Sequence, residues 1–258
     1  MDHQGRREIV VAREACTEPP WLDTAVSWAL LERVAAGEEP ETLRLYRPGP
    51  VLAFGPADRL SAGYPQAREA ARAAGFAPVE RMAGGHAAVF HEETVAFAWT
   101  VPDPQARATI RRRFELIAEL MRDALRRVGV DAEIGCVPGE YCPGDYSVSA
   151  GGRRKLMGVG QRVFPQAAHV GGVIVVQDAG RIRDVLLPVN EALGIEWEPE
   201  ATGAVGDEVT GVSWDDVADA VIEVFAERFD LREAALRPGV IEDARALAPR
   251  FAETVGAS

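Results

Sequence analysis

The sequence predicts an α+β fold in which a mixed, mostly antiparallel sheet is flanked by helices. Three observations carry that expectation. Strand-like stretches gather in the middle of the chain, apolar runs at helical spacing lie before, between and after them, and Gly- and Pro-containing breaks separate many of the segments.

From Pro20 to Ala36 the run PWLDTAVSWALLERVAA has helical spacing, with prolines where a helix start tolerates them and Gly37 as its stop. LRLYRPGPVLAF, Leu43 to Phe54, reads as two short strands around a tight turn at Pro48 and Gly49. Gln66 to Ala74 is helical in pattern. Ala77 to Val101 carries strand-like stretches broken by Gly84 and Gly85 and ended by Pro102 and Pro104. Phe114, Ile117, Leu120, Met121, Ala124, Leu125 and Val128 form one apolar face of a helix from Ile110 to Val128. After the loop Gly135 to Gly144, YSVSAGGRRKLMGVGQRVF reads as a hairpin turning at Gly151 and Gly152, and HVGGVIVVQD as a buried strand. Beyond Asp184 the chain turns mainly helical. A helix there is capped by Ser213 with Asp216 three residues on, and Trp214, Val217, Val221, Phe225 and Phe229 line its inner face.

The 258 residues, 47% hydrophobic and 26% charged, suit one large domain or two small ones. A net charge of −12 argues against a nucleic-acid binder, which needs a basic face. No apolar run approaches the roughly 20 residues of a membrane span, and the N-terminus does not read as a secretory leader, so a soluble, cytoplasmic protein is expected. Three cysteines, Cys16, Cys136 and Cys142, do not suggest a disulfide framework. The histidines His3, His86, His91 and His169 form no ligand-spaced group with them, so no metal site is expected.

Of 28 basic residues, 27 are Arg and one is Lys155. Codon bias accounts for an excess of Arg, but it leaves the surviving lysine unexplained. A compact ammonium on a flexible stem fits a narrow pocket and puts a point charge on an oxygen where a planar guanidinium does not. Alternation along KLMGVGQR places Lys155, Met157, Val159 and Gln161 on one side of a strand. Gly158 and Gly160 fall on the other, where backbone can approach. His169, past the next turn, is a candidate polar neighbour. In VERMAGGHAAVFH the paired Gly84 and Gly85 would let backbone N–H groups approach an anion, with Arg81 or His86 adding charge; the plain alternative is a turn. Cys142, in the loop YCPGD, is a candidate nucleophile if accessible and near a cation. Its bland alternative is a small buried apolar residue.

Taken together and in this order, LRLYRPGPVLAFG, ERMAGGHAAVFHEETVAFAWTV and GDYSVSAGGRRKLMGVGQR resemble segments of the biotin/lipoate A/B protein ligase superfamily, in particular its lipoate-protein ligases and octanoyltransferases. The likeness runs from about Pro20 to about Asn190. It implies a fold related to the class II synthetase catalytic domain and like that of biotin protein ligases. Residues 1–200 would form that catalytic domain and 201–258 a C-terminal helical extension packed on it. The implied activity is transfer of lipoyl or octanoyl to a lysine of a lipoyl-domain protein, with an acyl carrier protein as candidate donor. Lys155 would contact the acyl carbonyl or an acyl-adenylate phosphate, and Arg81, Gly84 and Gly85 would shape the acyl-binding loop.

The departures matter. Glu80 stands for the first of the family's paired arginines, Ala83 for Ser or Thr, and His86 for the third Gly or Arg. These weaken the ATP-side motif. The favoured reading is therefore a transferase with Cys142, or alternatively Cys136, holding a thioester, and no permanently bound cofactor. ATP and Mg²⁺ enter only in the competing reading, a lipoate-protein ligase; a non-catalytic acyl-binding homologue is the third. Arg44, Arg47, Arg153 and Arg154 are candidates for a basic docking patch on this acidic chain.

Overall fold

A computed structural model describes residues 6–251, so His3 and the last seven residues of the expected extension lie outside the described part. In chain order the elements are β1 (Glu8–Ala12), α1 (Leu22–Ala35), β2 (Thr42–Tyr46), β3 (Val51–Phe54), a 3₁₀ turn (Asp58–Leu60), α2 (Tyr64–Ala73), β4 (Ala77–Glu80), β5 (Ala88–Phe90) and β6 (Thr94–Pro102). There follow α3 (Ile110–Arg127), β7 (Ala132–Ile134), β8 (Val148–Ala150), β9 (Arg154–Phe164), β10 (Ala167–Val175) and α4 (Ala179–Leu193). The chain then forms a short 3₁₀ turn (Pro199–Ala201), α5 (Val205–Glu208), α6 (Trp214–Arg228), β11 (Asp230–Glu233), α7 (Pro238–Ala246) and α8 (Ala248–Phe251).

The main sheet has the order β11-β1-β2-β6-β10-β9-β8-β7. Only the β11/β1 and β1/β2 pairs are parallel; β2, β6, β10, β9, β8 and β7 pair antiparallel in succession. The expected mixed, mostly antiparallel sheet is what forms. One of its faces is apolar because α3 and α6 cover it. Ile117, Leu120, Met121 and Leu125 from α3 meet Val217, Val221 and Phe225 from α6 over Leu43, Leu45, Phe97 and Trp99 of the sheet. Trp99 packs edge-on against Phe225 and Phe229, at centroid distances of 5.5 and 5.7 Å, and donates its indole N–H to Glu41 at 2.8 Å. Ser213 caps α6 through a capping box with Asp216, as the sequence predicts.

The opposite face is covered by α1 and by a second sheet of order β4-β3-β5, itself backed by α2 and α4. β2 and β3, read in sequence as strands around one turn, therefore belong to different sheets. The turn at Pro48 and Gly49 carries the chain from one layer to the other. Residues after 200 are not only helical: β11 extends the main sheet beside β1, and α6 supplies part of the largest core. Among the described residues no helix is long and apolar enough to cross a membrane.

Candidate active site

The α1-facing side of the main sheet contains a trough whose origin is legible in strand register. Arg44, Ala98, Gly171 and Gly160 lie side by side across β2, β6, β10 and β9. The middle of this row has almost no side chain. Its neighbouring rows raise walls, Tyr46 and Val173 on one side and Thr100 and His169 on the other. The result is a cavity of about 460 Å³ lined mostly by apolar groups, with Met82, Ala83, Gly84 and Gly85 roofing it and residues 141–147 at its mouth. Phe114, expected on the core face of α3, instead stacks on Tyr146 at 5.0 Å, and both rings line the cavity.

Cys142 stands at the mouth, half-buried, with its Sγ accepting the backbone N–H of His86 at 3.3 Å and lying 3.9 Å from Arg81 Nη2. A donor and a guanidinium on one thiol form the electropositive setting that thiolate chemistry needs. The loop can approach so closely because Gly85 has φ +97°, a conformation L side chains rarely adopt, and a Cβ there would lie 3.0 Å from Sγ. Gly84 carries no such constraint: its Cβ would meet nothing within 4 Å. Cys136 is different. It is exposed, and desolvation followed by the Glu140 carboxylate pushes its thiol up, away from easy ionisation. Cys16 lies elsewhere, beside Arg44 and Asp23, and burial raises it too.

Lys155 is buried, 4% exposed, and does not reach for the thiol. Its Nζ is 3.0 Å from Glu140 Oε2, donates to the Cys142 carbonyl at 2.5 Å, and lies 5.2 Å from the Tyr141 ring centre. Glu140 also accepts from the Gly144 N–H at 2.8 Å and the Ser147 hydroxyl at 2.9 Å. One ion pair thus ties β9 to both ends of the Cys142 loop. The regular alternation expected along β9 fails here. Val148 pairs with Met157 but Ser149 with Lys155, a β-bulge. Lys155 therefore shares the cavity face with Gly158 and Gly160, while Met157, expected to be its neighbour in a binding slot, is fully buried in the α3/α6 core.

His169 lines the trough, 5% exposed, its Nδ1 without a hydrogen-bond partner. Burial, helped by nearby Arg44, lowers its pKa to about 4, so the ring is a neutral wall at physiological pH. Arg81 lines the cavity with its Nε buried and without a partner, and its Nη2 donates to the Gly84 carbonyl. Of the four arginines considered for docking, one is inaccessible and two of the others are paired. Arg44 is wholly buried and bound to Asp23, because β2 directs it toward α1; Arg47 is held by the Glu92 carbonyl and Glu93, and Arg154 by Glu208. Sequence reasoning passed over Glu140 and Asp58. Glu140 had a usable signal, an acid two residues before the candidate cysteine. Among the described residues no group of three or more His, Cys, Asp or Glu is placed to hold a metal ion.

The profile of the Lipoyl protein ligase A/B catalytic domain matches residues 19–226. The chain belongs to that family. Among curated relatives, the octanoyl-[GcvH]:protein N-octanoyltransferase of Geobacillus kaustophilus (strain HTA426) is 28% identical over 174 residues, 67% of this chain and 61% of the relative. The protein of the same name from Bacillus velezensis (strain DSM 23117 / BGSC 10A6 / LMG 26770 / FZB42) is 29% identical over 147 residues, 55% of this chain and 51% of the relative. The chain thus matches between half and two thirds of the length of these relatives. Among solved structures, lipoate-protein ligase A bound with ATP superposes with a TM-score of 0.74 at 20% identity, covering 94% of this chain and 95% of that one. The putative lipoate protein ligase Ta0514 from T. acidophilum with bound lipoic acid gives 0.71 at 20% identity, covering 95% and 96%. At such identities the likeness speaks for the fold, and the catalytic-domain fold of this family accounts for the sheet and its trough.

Proposed function

We propose that this protein is an acyltransferase of protein lipoylation that carries an octanoyl or lipoyl group on Cys142 as a thioester and passes it to a lysine of a lipoyl domain. The observation that carries this reading is the setting of the Cys142 thiol, faced by the His86 N–H and the Arg81 guanidinium at the mouth of a mostly apolar trough. The names of the curated relatives support it.

In the first half-reaction the Cys142 thiolate attacks the acyl carbonyl of the donor. A new C–S bond forms, the donor's own bond to that carbon breaks, and the leaving group takes up a proton. The donor is an acyl carrier protein thioester or, as the relatives' name suggests for them, an octanoylated lipoyl-type protein. In the second half-reaction the acceptor lysine amine attacks the thioester carbonyl, the amide forms, the C–S bond breaks and the amine's proton is released. Arg81 Nε, buried without a partner, is available to the developing oxyanion, and the trough excludes water from the acyl chain. Lys155 fixes the Cys142 peptide. No permanently bound cofactor takes part; ATP and Mg²⁺ belong only to the ligase alternative, in which free lipoate is activated.

The test is mass spectrometry of the protein after incubation with octanoyl donor, followed by addition of an unmodified lipoyl domain. One hydroxylamine-labile octanoyl on Cys142, lost in Cys142→Ser together with transfer, is the expected result. A Cys142→Ser protein that still modifies the lipoyl domain with ATP and lipoate overturns the proposal in favour of the ligase. A protein that binds octanoate with neither adduct nor turnover overturns it in favour of an acyl-binding role.

A further inference from the structure

The loop that roofs the trough is anchored from below by a carboxylate that the chemistry above leaves unused. Asp58 opens the 3₁₀ turn after β3, and its side chain is fully buried. Oδ2 accepts the Gly55 N–H at 2.8 Å, which closes the turn on itself, and Oδ1 lies 2.8 Å from His86 Nδ1. Gly55 in turn is pressed against the Gly85 carbonyl so closely that no Cβ fits between them. His86 is thus held at two points. Its ring is on Asp58 and its backbone N–H is on Cys142 Sγ.

Two features distinguish this from a generic loop contact. The chain contains 27 arginines, yet the ion-pair partner recorded for the buried Asp58 carboxylate is an imidazole. A guanidinium would neutralise the acid at every accessible pH, whereas an imidazole does so fully only while protonated. An ionised carboxylate only accepts, so in that pairing His86 Nδ1 is the donor to Oδ1.

We propose that Asp58 and His86 are positioning residues for Cys142, an acid–imidazole latch that holds the glycine loop over the thiol and favours its thiolate. This rests on the reading of Cys142 as the acyl-carrying nucleophile. The other charged or titratable groups facing the site are Arg81 from the loop itself, Glu140, Tyr141, Asp145 and Tyr146 from the cysteine loop, Lys155 from β9, and, farther along the trough, Tyr46 on β2 and His169 on β10. Around Asp58 they are Tyr64 on α2, Arg59 on the turn and Glu80 on β4. None of these replaces His86 on Oδ1.

The test reads the thiol directly, in the full-length chain, as the rate of iodoacetamide alkylation of each cysteine against pH by peptide mass spectrometry. In Asp58→Asn, and independently in His86→Ala, Cys142 is expected to react about tenfold more slowly at pH 7, the worth of one charge-assisted hydrogen bond. Its rate midpoint should move to higher pH, while Cys136, outside the latch, keeps its wild-type profile. A Cys142 profile in both variants that superimposes on wild type overturns the latch. A slower Cys142 with an unmoved midpoint, or an equal change at Cys136, overturns it too, since a purely structural role gives that pattern. Should Asp58→Asn fail to fold, His86→Ala carries the test alone, because it keeps the backbone N–H. The octanoyl adduct is scored separately. A wild type that takes no octanoyl, with the midpoint shift present in the variants, loses the transferase reading and keeps the latch; a wild type that forms the adduct, with no shift in the variants, does the reverse.

Discussion

Lys155 reaches Cys142 through the peptide and not through the sulfur: Nζ donates to the Cys142 carbonyl at 2.5 Å while its charge is matched by Glu140 at 3.0 Å. A buried ion pair of this kind holds geometry at little net gain in stability, but breaking it leaves one charge stranded. Lys155→Met is therefore expected to cost about 3–5 kcal/mol in denaturant unfolding. Adding Glu140→Gln should recover most of that loss without recovering acyl transfer. Lys155→Arg keeps the charge, yet the wider planar head cannot sit between Glu140, Tyr141 and the Cys142 carbonyl, so transfer should fall by about a hundredfold with folding largely kept. An active Arg variant would mean that charge alone suffices.

Gly85→Ala places a methyl group against Cys142 Sγ and Arg81 on a backbone with φ +97°. We expect a drop of about tenfold or more in octanoyl adduct formation, from displacement of the His86 N–H. Gly84→Ala, which meets nothing, should stay within about twofold of wild type in the same assay. Equal effects at the two positions would show that general loop flexibility, not the fit around sulfur, governs the reaction.

Gly171→Val tests the trough apart from the nucleophile. Gly171 is the centre of the floor, with His169 Nε2 2.6 Å and the Phe97 carbonyl 3.0 Å from a Cβ built there. Filling it should block octanoyl acceptance while leaving iodoacetamide alkylation of Cys142 near the wild-type rate, since the thiol lies at the mouth. Loss of both would place the fault in folding, which costs about 1–3 kcal/mol for overpacking and is read by thermal denaturation.

Two buried groups give opposing dependences of stability on pH. Burial lifts Glu41 to about 7 despite Arg7 and the Trp99 hydrogen bond, so the folded state holds a proton that the unfolded state has released. Stability from this group is full below pH 4.5 and declines up to about pH 7. His169, lowered to about 4, does the reverse: the unfolded state takes up a proton first as pH falls below 6.5, and stability is lost down to pH 4. In wild type the two slopes offset each other between pH 4.5 and 6.5. Glu41→Gln should gain about 1–3 kcal/mol at pH 8 and unmask a steeper acid loss. A variant whose unfolding profile runs parallel to wild type across pH 4.5–7 would refute the assignment to Glu41.

Much of the fold was readable because its signals are local. The α3 and α6 faces, the Ser213 cap and the turn at Gly151 and Gly152 each declare themselves within a few residues, and the hairpin β8–β9 follows. The bulge at Lys155 is not local. It arises from pairing with β8 and moves Met157 from the slot to the core, so strict alternation misassigned one face. Arg44 reads as surface charge in any window of sequence; only the approach of α1, which brings Asp23, makes a buried ion pair of it. Within the site, Cys142, Lys155, Arg81 and Gly85 could be picked out by residue type and loop context. Asp58 could not, since nothing in GPADRL hints that a loop 28 positions later will fold onto it.

The burial of the one lysine has a chemical corollary. Activated acyl groups react with accessible primary amines, and a surface lysine side chain is one. Here every other basic side chain is a guanidinium, which does not form amides under such conditions, and the single ammonium is enclosed at 4% exposure with its charge engaged by Glu140. Apart from this enclosed ammonium the chain carries no side-chain amine, so under the proposed transfer an acceptor lysine meets no competing side-chain amine.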